Sequence, residues 1–188
     1  KVLDSGQIPE DWSVGLIVPL FKKQGSIDDP SNYRGITLLS CIGKLFTMLI
    51  NERLTKFIEL NNLLSENQAG FRKGYSTIDH IFLFKQIIDL FRYKKQKLYC
   101  AFIDYKKAFD TVWRMGLWLK LEKKYGIRGK VLEVIRNLYL NVKSCVFVNG
   151  ERSQFFESFT GVRQGENLSP LLFSLFVNDL EEYMRKMV

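Results

Sequence analysis

The dipeptide Asn149-Gly150 restricts the fold of this chain more than any other short feature. It stands between residues 144–148 and 152–159, two stretches that have the composition of strands. Asn-Gly is a preferred pair for a two-residue turn in which both residues adopt positive φ, and such a turn follows the twist of paired strands. The sequence therefore predicts a tight β-hairpin in the second half of the chain.

Two further apolar runs, residues 14–21 and 98–103, predict strands, and a Gly-, Asp- and Pro-containing loop over residues 24–32 follows the first. The second run ends at Asp104. Burying a carboxylate at the end of a strand is costly unless it is paired or bound to a metal ion. Asp104 is therefore the leading candidate for a functional residue, although an aspartate in this position is more often a cap or turn residue.

Helices are predicted where apolar residues recur every three or four positions, which they do over residues 43–60, 76–93, 113–125 and 131–139. A Ser76–Asp79 capping pattern begins the second of these helices. Ser169 is predicted to cap the last helix, with Pro170 in its first position. The predicted fold class is α+β, with helices packed around a small antiparallel sheet.

The charge balance favours a polyanionic partner. Lys and Arg number 28 against 20 Asp and Glu, a net charge of +8. Nucleic acid is the commonest partner of such a domain, although many soluble proteins are also basic. No apolar run reaches the roughly 18 residues needed to span a membrane, so we expect no membrane association.

The cysteines and the histidine favour no metal site. Cys41, Cys100 and Cys145 are odd in number, form no CxxC pair and have apolar neighbours. We expect buried free thiols in a reducing intracellular compartment, and the sequence does not distinguish nucleus from cytoplasm. His80 lies in a helical pattern, where a packing or surface role is expected.

Taken in chain order, five segments resemble motifs of reverse transcriptases. SVGLIVPLFKK (13–23) and NYRGITLLSCIGKLF (32–46) resemble the fingers motifs, and ENQAGFRKGYSTIDHI (66–81) is similar to a segment of non-LTR (LINE-type, jockey-like) retrotransposon enzymes. FIDYKKAFDTVW (102–113) resembles motif A, and GVRQGENLSPLLFSLFVNDL (161–180) resembles motif B. Together these segments cover nearly the whole chain, which makes the resemblance specific.

The resemblance implies a right-hand polymerase architecture in one partial domain over residues 1–188. Residues 1–97 would form mainly the fingers and residues 98–188 mainly the palm, with motif C and the thumb missing. The start at Lys1 and the end within a helical pattern also lead us to expect a fragment.

Roles follow residue by residue from the resemblance. Asp104 is implied as the catalytic, metal-binding aspartate, and the carbonyl of Tyr105 as a further ligand, in a site for two Mg²⁺ ions with Mn²⁺ as an alternative. Phe109 is implied to face the sugar of the incoming nucleotide, where a bulky ring excludes a 2′-hydroxyl. Gln164 is implied to contact the same nucleotide. Without the resemblance, Phe109 would be read as a core aromatic and Gln164 as a turn residue.

The cationic residues of the fingers complete the implied site. Arg34, with Lys22 or less favourably Lys23, would bind the triphosphate, since a guanidinium offers paired donors to phosphate oxygens. Contact with the template is implied for the loop residues Phe71, Arg72 and Lys73.

Some residues depart from the family or stand outside the site. Asp110 is assigned to a helix start rather than to the metal site. In motif B the family commonly has Pro where Arg163 stands, and a Ser-Pro or similar pair where Glu166 and Asn167 stand. We expect these charges to alter local template contacts.

The sequence thus predicts a fragment of an RNA-directed DNA polymerase that uses an RNA template, a DNA primer and deoxynucleoside triphosphates. Asp104, Phe109 and Gln164 are expected to line one cleft. The fragment itself is expected to be inactive, with a half-built metal site and an unpaired sheet edge. The alternatives are a group II intron maturase-type reverse transcriptase, a catalytically dead nucleic-acid-binding remnant, or an unrelated basic binding module.

Overall fold

A five-stranded sheet joins the two halves of the chain. The computed structural model describes residues 1–187. The strands are β1 (Val14–Phe21), β2 (Tyr33–Leu38), β3 (Lys143–Val148), β4 (Glu151–Arg152) and β5 (Phe156–Glu157). Their order is β2-β1-β3-β4, and β5 also pairs with β3.

The predicted hairpin is confirmed. Asn149 (φ 51°) and Gly150 (φ 86°) both have positive φ, and β3 pairs antiparallel with β4 and β5. The returning strand is split in two. Between its parts the Ser153 hydroxyl accepts a hydrogen bond from the Val146 amide (2.9 Å), which replaces a backbone contact of the ladder.

The prediction of an antiparallel sheet is wrong in one respect. β1 pairs antiparallel with β2 but parallel with β3, in the register Gly15↔Ser144 and Ile17↔Val146. Parallel strands need a long connection, and here the connection contains β2 and four of the eight α-helices within residues 1–187. This pairing connects the residues expected to form the fingers with those expected to form the palm.

The structure has eight α-helices within residues 1–187, and it confirms the four predicted from apolar spacing. They are α1 (Val2–Ser5), α2 (Glu10–Ser13), α3 (Cys41–Leu60), α4 (Thr77–Tyr93), α5 (Arg114–Leu119), α6 (Lys130–Leu138), α7 (Ser169–Val177) and α8 (Leu180–Arg185). A π-helical turn, Lys120–Lys124, continues α5, and a 3-10 turn, Pro30–Asn32, precedes β2. None of the helices described is long and apolar enough to cross a membrane.

The structure confirms the predicted serine cap of one helix and shows that the other predicted serine cap is wrong. The Ser76 hydroxyl accepts a hydrogen bond from the Ile78 amide (3.1 Å) and caps α4 as predicted. Ser169, by contrast, is the first residue of α7, and Leu168 occupies the cap position. The Ser169 hydroxyl points inward and donates to the Glu166 carboxylate (3.4 Å) instead of capping the amides at the start of the helix.

The core lies between α3, α5, α6 and α7. Its fully buried members include Ile50, Ile58, Leu117, Leu121, Ile135, Leu138, Leu168, Leu172 and Leu175. Cys145 is buried beside this core, but the expectation of buried thiols is wrong for Cys41 and Cys100, which are exposed.

Residues 98–104 give the largest disagreement with the sequence prediction. The apolar run forms no strand, and Tyr99 (86%) and Phe102 (84%) are largely exposed. A strand needs a neighbouring edge that can exchange backbone hydrogen bonds, and no strand among residues 1–187 pairs with this segment. Asp104 therefore lies in exposed, irregular backbone rather than at the end of a buried strand.

Candidate functional site

The glycine-bounded turn over residues 161–165, here called the Gln164 turn, is fastened to the motif A-like segment. The Gly161 amide donates to the Val112 carbonyl (2.9 Å), and the Val162 amide donates to the Phe109 carbonyl (2.7 Å). These two hydrogen bonds join segments that are distant in sequence. The same two segments are also joined by a hydrogen bond from the Arg114 side chain to the Gly161 carbonyl, across a sequence separation of 47.

The same turn is fastened to β2 on its other side. The Thr37 amide donates to the Gln164 carbonyl (3.0 Å). Both bounding glycines have positive φ, and a Cβ would lie 2.7 Å from the Asp110 carbonyl oxygen at Gly161 and 2.5 Å from the Thr37 carbonyl oxygen at Gly165. Glycine is therefore required at both ends, because the backbone of a neighbour occupies the space of a side chain.

A cavity of about 500 Å³ opens beside Gln164. This volume lies within the range of small-molecule sites. Its lining includes the polar residues Lys107, Asp110 and half-buried Gln164. The sheet contributes Ile17, Gly35, Thr37 and Ser144. The cavity can accept a polar ligand of nucleotide size.

The predicted cleft shared by Asp104, Phe109 and Gln164 is not what the structure describes. Phe109 meets the Gln164 turn through its carbonyl, while its half-buried ring packs against Phe173 (5.3 Å). Asp104 does not line the Gln164 cavity. The Tyr105 ring contacts Phe173 (6.0 Å) and lines a second cavity of about 600 Å³.

The fingers cations lie away from the Gln164 cavity. Arg34 is exposed on β2, opposite Leu20 of β1. Neighbouring residues of a strand face opposite sides of the sheet, so Arg34 faces away from Gly35, which lines the cavity. Lys22 is exposed, and its ammonium donates to the Ser31 carbonyl (2.8 Å) at the tip of the β1–β2 pair. Lys23 is also exposed.

Arg72 is committed to contacts within the protein, contrary to the expectation that it binds template. Its side chain is 8% exposed and donates to both carboxylate oxygens of Glu59 (3.0 and 2.7 Å). These hydrogen bonds lower the pKa of Glu59. The guanidinium also lies 4.0 Å from the Tyr75 ring centroid. Arg72 therefore shapes the loop, whereas Phe71 and Lys73 remain exposed.

Two charged residues expected near the template, Arg163 and Glu166, are buried. Arg163 donates to the carbonyls of Trp12 (2.7 Å) and Leu138, and Glu166 accepts the Tyr139 hydroxyl. Burial, followed by the nearby Glu166 carboxylate, raises the pKa of Tyr139 well above its usual value. Tyr139 is thus a neutral donor.

Arg114 is a functional candidate that sequence reasoning missed. Its buried guanidinium donates to the carbonyls of Gly161 (2.8 Å), Ser158 (2.7 Å), Thr160 (3.0 Å) and Tyr139 (3.0 Å). Burial lowers its pKa. The available signal was its position three residues before Leu117, on the buried stripe of α5.

The residues described do not form a complete metal centre. Among residues 1–187, no three His, Cys, Asp or Glu side chains cluster so that they could hold a metal ion. Asp104 is exposed, and Asp179 is paired with Lys120 (2.7 Å). Asp104 and the Tyr105 carbonyl alone do not fit the predicted two-ion site, because closely spaced dications need several anionic ligands to offset their repulsion.

Known proteins resemble this chain over nearly all its length. Similar proteins from Drosophila melanogaster are "Probable RNA-directed DNA polymerase from transposon BS" (34% identical over 180 residues) and "Probable RNA-directed DNA polymerase from transposon X-element" (30% over 177 residues). A third is "RNA-directed DNA polymerase from mobile element jockey" (30% over 187 residues). The alignments cover 92%, 93% and 96% of this chain, which spans 19% of the length of each relative.

These relatives confirm the resemblance to jockey-like retrotransposon enzymes. The family described as "Reverse transcriptase (RNA-dependent DNA polymerase)" matches residues 21–188. Because this match covers most of the sequence, the chain belongs to the reverse transcriptase family.

Proposed function

We propose that this chain supplies the fingers and part of the palm of a non-LTR retrotransposon RNA-directed DNA polymerase. The observation that carries the proposal is the attachment of the Gln164 turn to both Phe109 and Thr37 of β2. This attachment builds a polar cavity from the three segments that resemble the fingers, motif A and motif B. The whole enzyme would copy an RNA template from a DNA primer with deoxynucleoside triphosphates.

In this proposal the nucleotide occupies the Gln164 cavity. The Gln164 amide can both donate and accept hydrogen bonds with the nucleotide, and Lys107 supplies a cation within the same lining. In this proposal the sugar extends beyond the cavity to the Phe109 ring, which does not line the cavity and would exclude a ribose 2′-hydroxyl. The Phe109 ring has little freedom to withdraw, because Phe173 (5.3 Å) and Phe71 (6.1 Å) pack against it.

The remaining cations would contact nucleic-acid or nucleotide phosphates. Arg34 and Lys22 lie near the tip of the β1–β2 pair, where they can meet phosphate groups that approach from outside the Gln164 cavity. Phe71 and Lys73 offer an aromatic face and a charge to the template. Arg72 contributes by holding their loop on Glu59.

Asp104 is proposed as one metal ligand of the whole enzyme, in which bound Mg²⁺ or Mn²⁺ would supply phosphoryl-transfer chemistry. The additional carboxylates, and a strand to pair with residues 98–103, would come from parts of the polymerase outside the residues described. The chain spans only 19% of its relatives, which leaves room for both. The chain alone is therefore proposed to be inactive.

The sugar selectivity of a polymerase-length protein that contains this chain tests the proposal. Phe109→Ala should raise the incorporation of ribonucleotides relative to deoxynucleotides about ten-fold or more, since the ring no longer meets the 2′-hydroxyl. Phe46→Ala is the matched control, because its half-buried ring packs against Trp12 (5.2 Å) rather than against Phe109. An unchanged selectivity ratio in Phe109→Ala would show that the ring does not face the nucleotide.

A further inference from the structure

Four buried or largely buried polar side chains form one cluster beneath the Gln164 turn: Arg114, Tyr139, Arg163 and Glu166. The Tyr139 ring is shared by both guanidinium groups, with Arg114 5.2 Å and Arg163 5.5 Å from its centroid. The Tyr139 hydroxyl donates to Glu166 and lies 3.3 Å from the Ser169 hydroxyl. One tyrosine thus connects both arginines to the buried carboxylate.

Arg114 fixes the chain that leads into the turn. Three of its four acceptors are the carbonyls of Ser158, Thr160 and Gly161, so the backbone curves around the guanidinium. A planar guanidinium offers five donors, whereas a lysine ammonium offers three from a single point. The shape of this segment therefore depends on arginine rather than on positive charge alone.

Arg163 and Glu166 fix the turn itself. They flank Gln164 and Gly165 in sequence, and both side chains point into the cluster. Gln164 is left half-buried at the cavity. Turning Gln164 away from the cavity would draw a charged neighbour out of its buried contacts, and an unpaired buried charge is strongly unfavourable.

We propose that this cluster is a positioning device that holds Gln164 toward the incoming nucleotide; Arg114 and Arg163 lie along the wall of the cavity, whereas Tyr139 and Glu166 do not line it. The inference rests on the proposed function for the identity of the ligand. Since Gln164 would contact the nucleotide in the ground state and in the transition state alike, loosening the cluster should raise the nucleotide KM and leave kcat nearly unchanged.

Tyr139→Phe is the test, and Tyr125→Phe is its matched control. Each variant removes one buried tyrosine hydroxyl: that of Tyr139 donates to Glu166, and that of Tyr125 donates to the Leu175 carbonyl (2.8 Å) away from the turn. Residue-resolved hydrogen exchange would be measured on this chain. Nucleotide KM and kcat would be measured on a polymerase-length protein that contains it.

Tyr139→Phe should reduce exchange protection roughly ten-fold at the amides of Thr37, Gly161 and Val162, the size expected for losing a hydrogen bond to a charged group. KM should rise by a similar factor, and Tyr125→Phe should change neither quantity. If Tyr139→Phe does not fold, Ser169→Ala gives the same comparison, with an expected loss of about three-fold.

The outcomes separate the two proposals. Equal protection of these amides in both tyrosine variants, or a fall in kcat with an unchanged KM, would overturn the positioning role. Selective loss of protection in Tyr139→Phe, together with no nucleotide incorporation by any polymerase-length protein, would support the cluster as the support of the turn and overturn the proposed function.

Discussion

Replacing Gly161 with alanine tests how the Gln164 turn is attached to the motif A-like segment. Gly161 has φ of 81°, and a Cβ there would lie 2.7 Å from the Asp110 carbonyl oxygen and 2.8 Å from the Phe109 carbonyl oxygen. Gly126, the control, has φ of 68° with no atom within 4 Å of its Cβ position. Both substitutions place an L-residue in the left-handed region, which destabilises the folded state by roughly 1–2 kcal/mol. Alanine also lowers the conformational entropy of the unfolded chain, which offsets about 0.4–1 kcal/mol of that cost.

Only Gly161→Ala adds a clash with backbone, which costs about 1–3 kcal/mol because backbone cannot rotate away as a side chain can. We therefore expect Gly126→Ala to lower the free energy of unfolding by about 1 kcal/mol and Gly161→Ala by about 2–4 kcal/mol. Urea unfolding followed by tryptophan fluorescence, with equal m values, would measure both. Equal losses in the two variants would refute the close approach of Gly161 to Asp110.

Two further predictions concern pH and salt. The Ser65 hydroxyl donates to Glu181 (2.5 Å) and, with neighbouring donors, lowers the pKa of Glu181 to about 2 from its ordinary 4.5. The contribution of ionised Glu181 to stability should therefore be present above pH 4.5 and be lost as the pH falls toward 2. Glu181→Gln should flatten the dependence of the urea-measured free energy of unfolding on pH over that window. The same pH dependence in the variant and the unsubstituted chain would contradict the assignment. The net charge of +8 predicts that binding of a labelled primer–template by this chain weakens steeply with added salt and depends little on sequence. A flat response in a titration at several salt concentrations would exclude phosphate contacts as the main source of affinity.

Local signals in the sequence were sufficient to predict the elements whose stabilising contacts lie close together in the chain. The Asn149-Gly150 hairpin and the Ser76 cap of α4 depend on residues within a few positions of one another. The parallel pairing of β1 with β3 does not, because it joins Ile17 to Val146 and depends on how the intervening helices pack.

The candidate site was predictable only in part, because it too depends on contacts between residues distant in sequence. The motifs identified Phe109 and Gln164, whose backbone segments the structure brings together. They did not show that Arg163 and Glu166 point inward. This orientation depends on Tyr139, which lies in the segment that connects α6 to β3. The apolar run before Asp104 has the composition of a strand, but composition cannot supply the neighbouring edge that a strand requires.

Nucleotide incorporation on a DNA-primed RNA template tests whether this chain is an inactive part of a polymerase that depends on Asp104. Three proteins would be compared in the presence of Mg²⁺: this 188-residue chain, a polymerase-length protein that contains it, and the Asp104→Ala variant of the longer protein. We expect incorporation by the longer protein alone, with Asp104→Ala abolishing extension while primer–template binding is largely preserved. Extension by the Asp104→Ala variant at the unsubstituted rate, or clear incorporation by the 188-residue chain once contaminating polymerases are excluded, would contradict it.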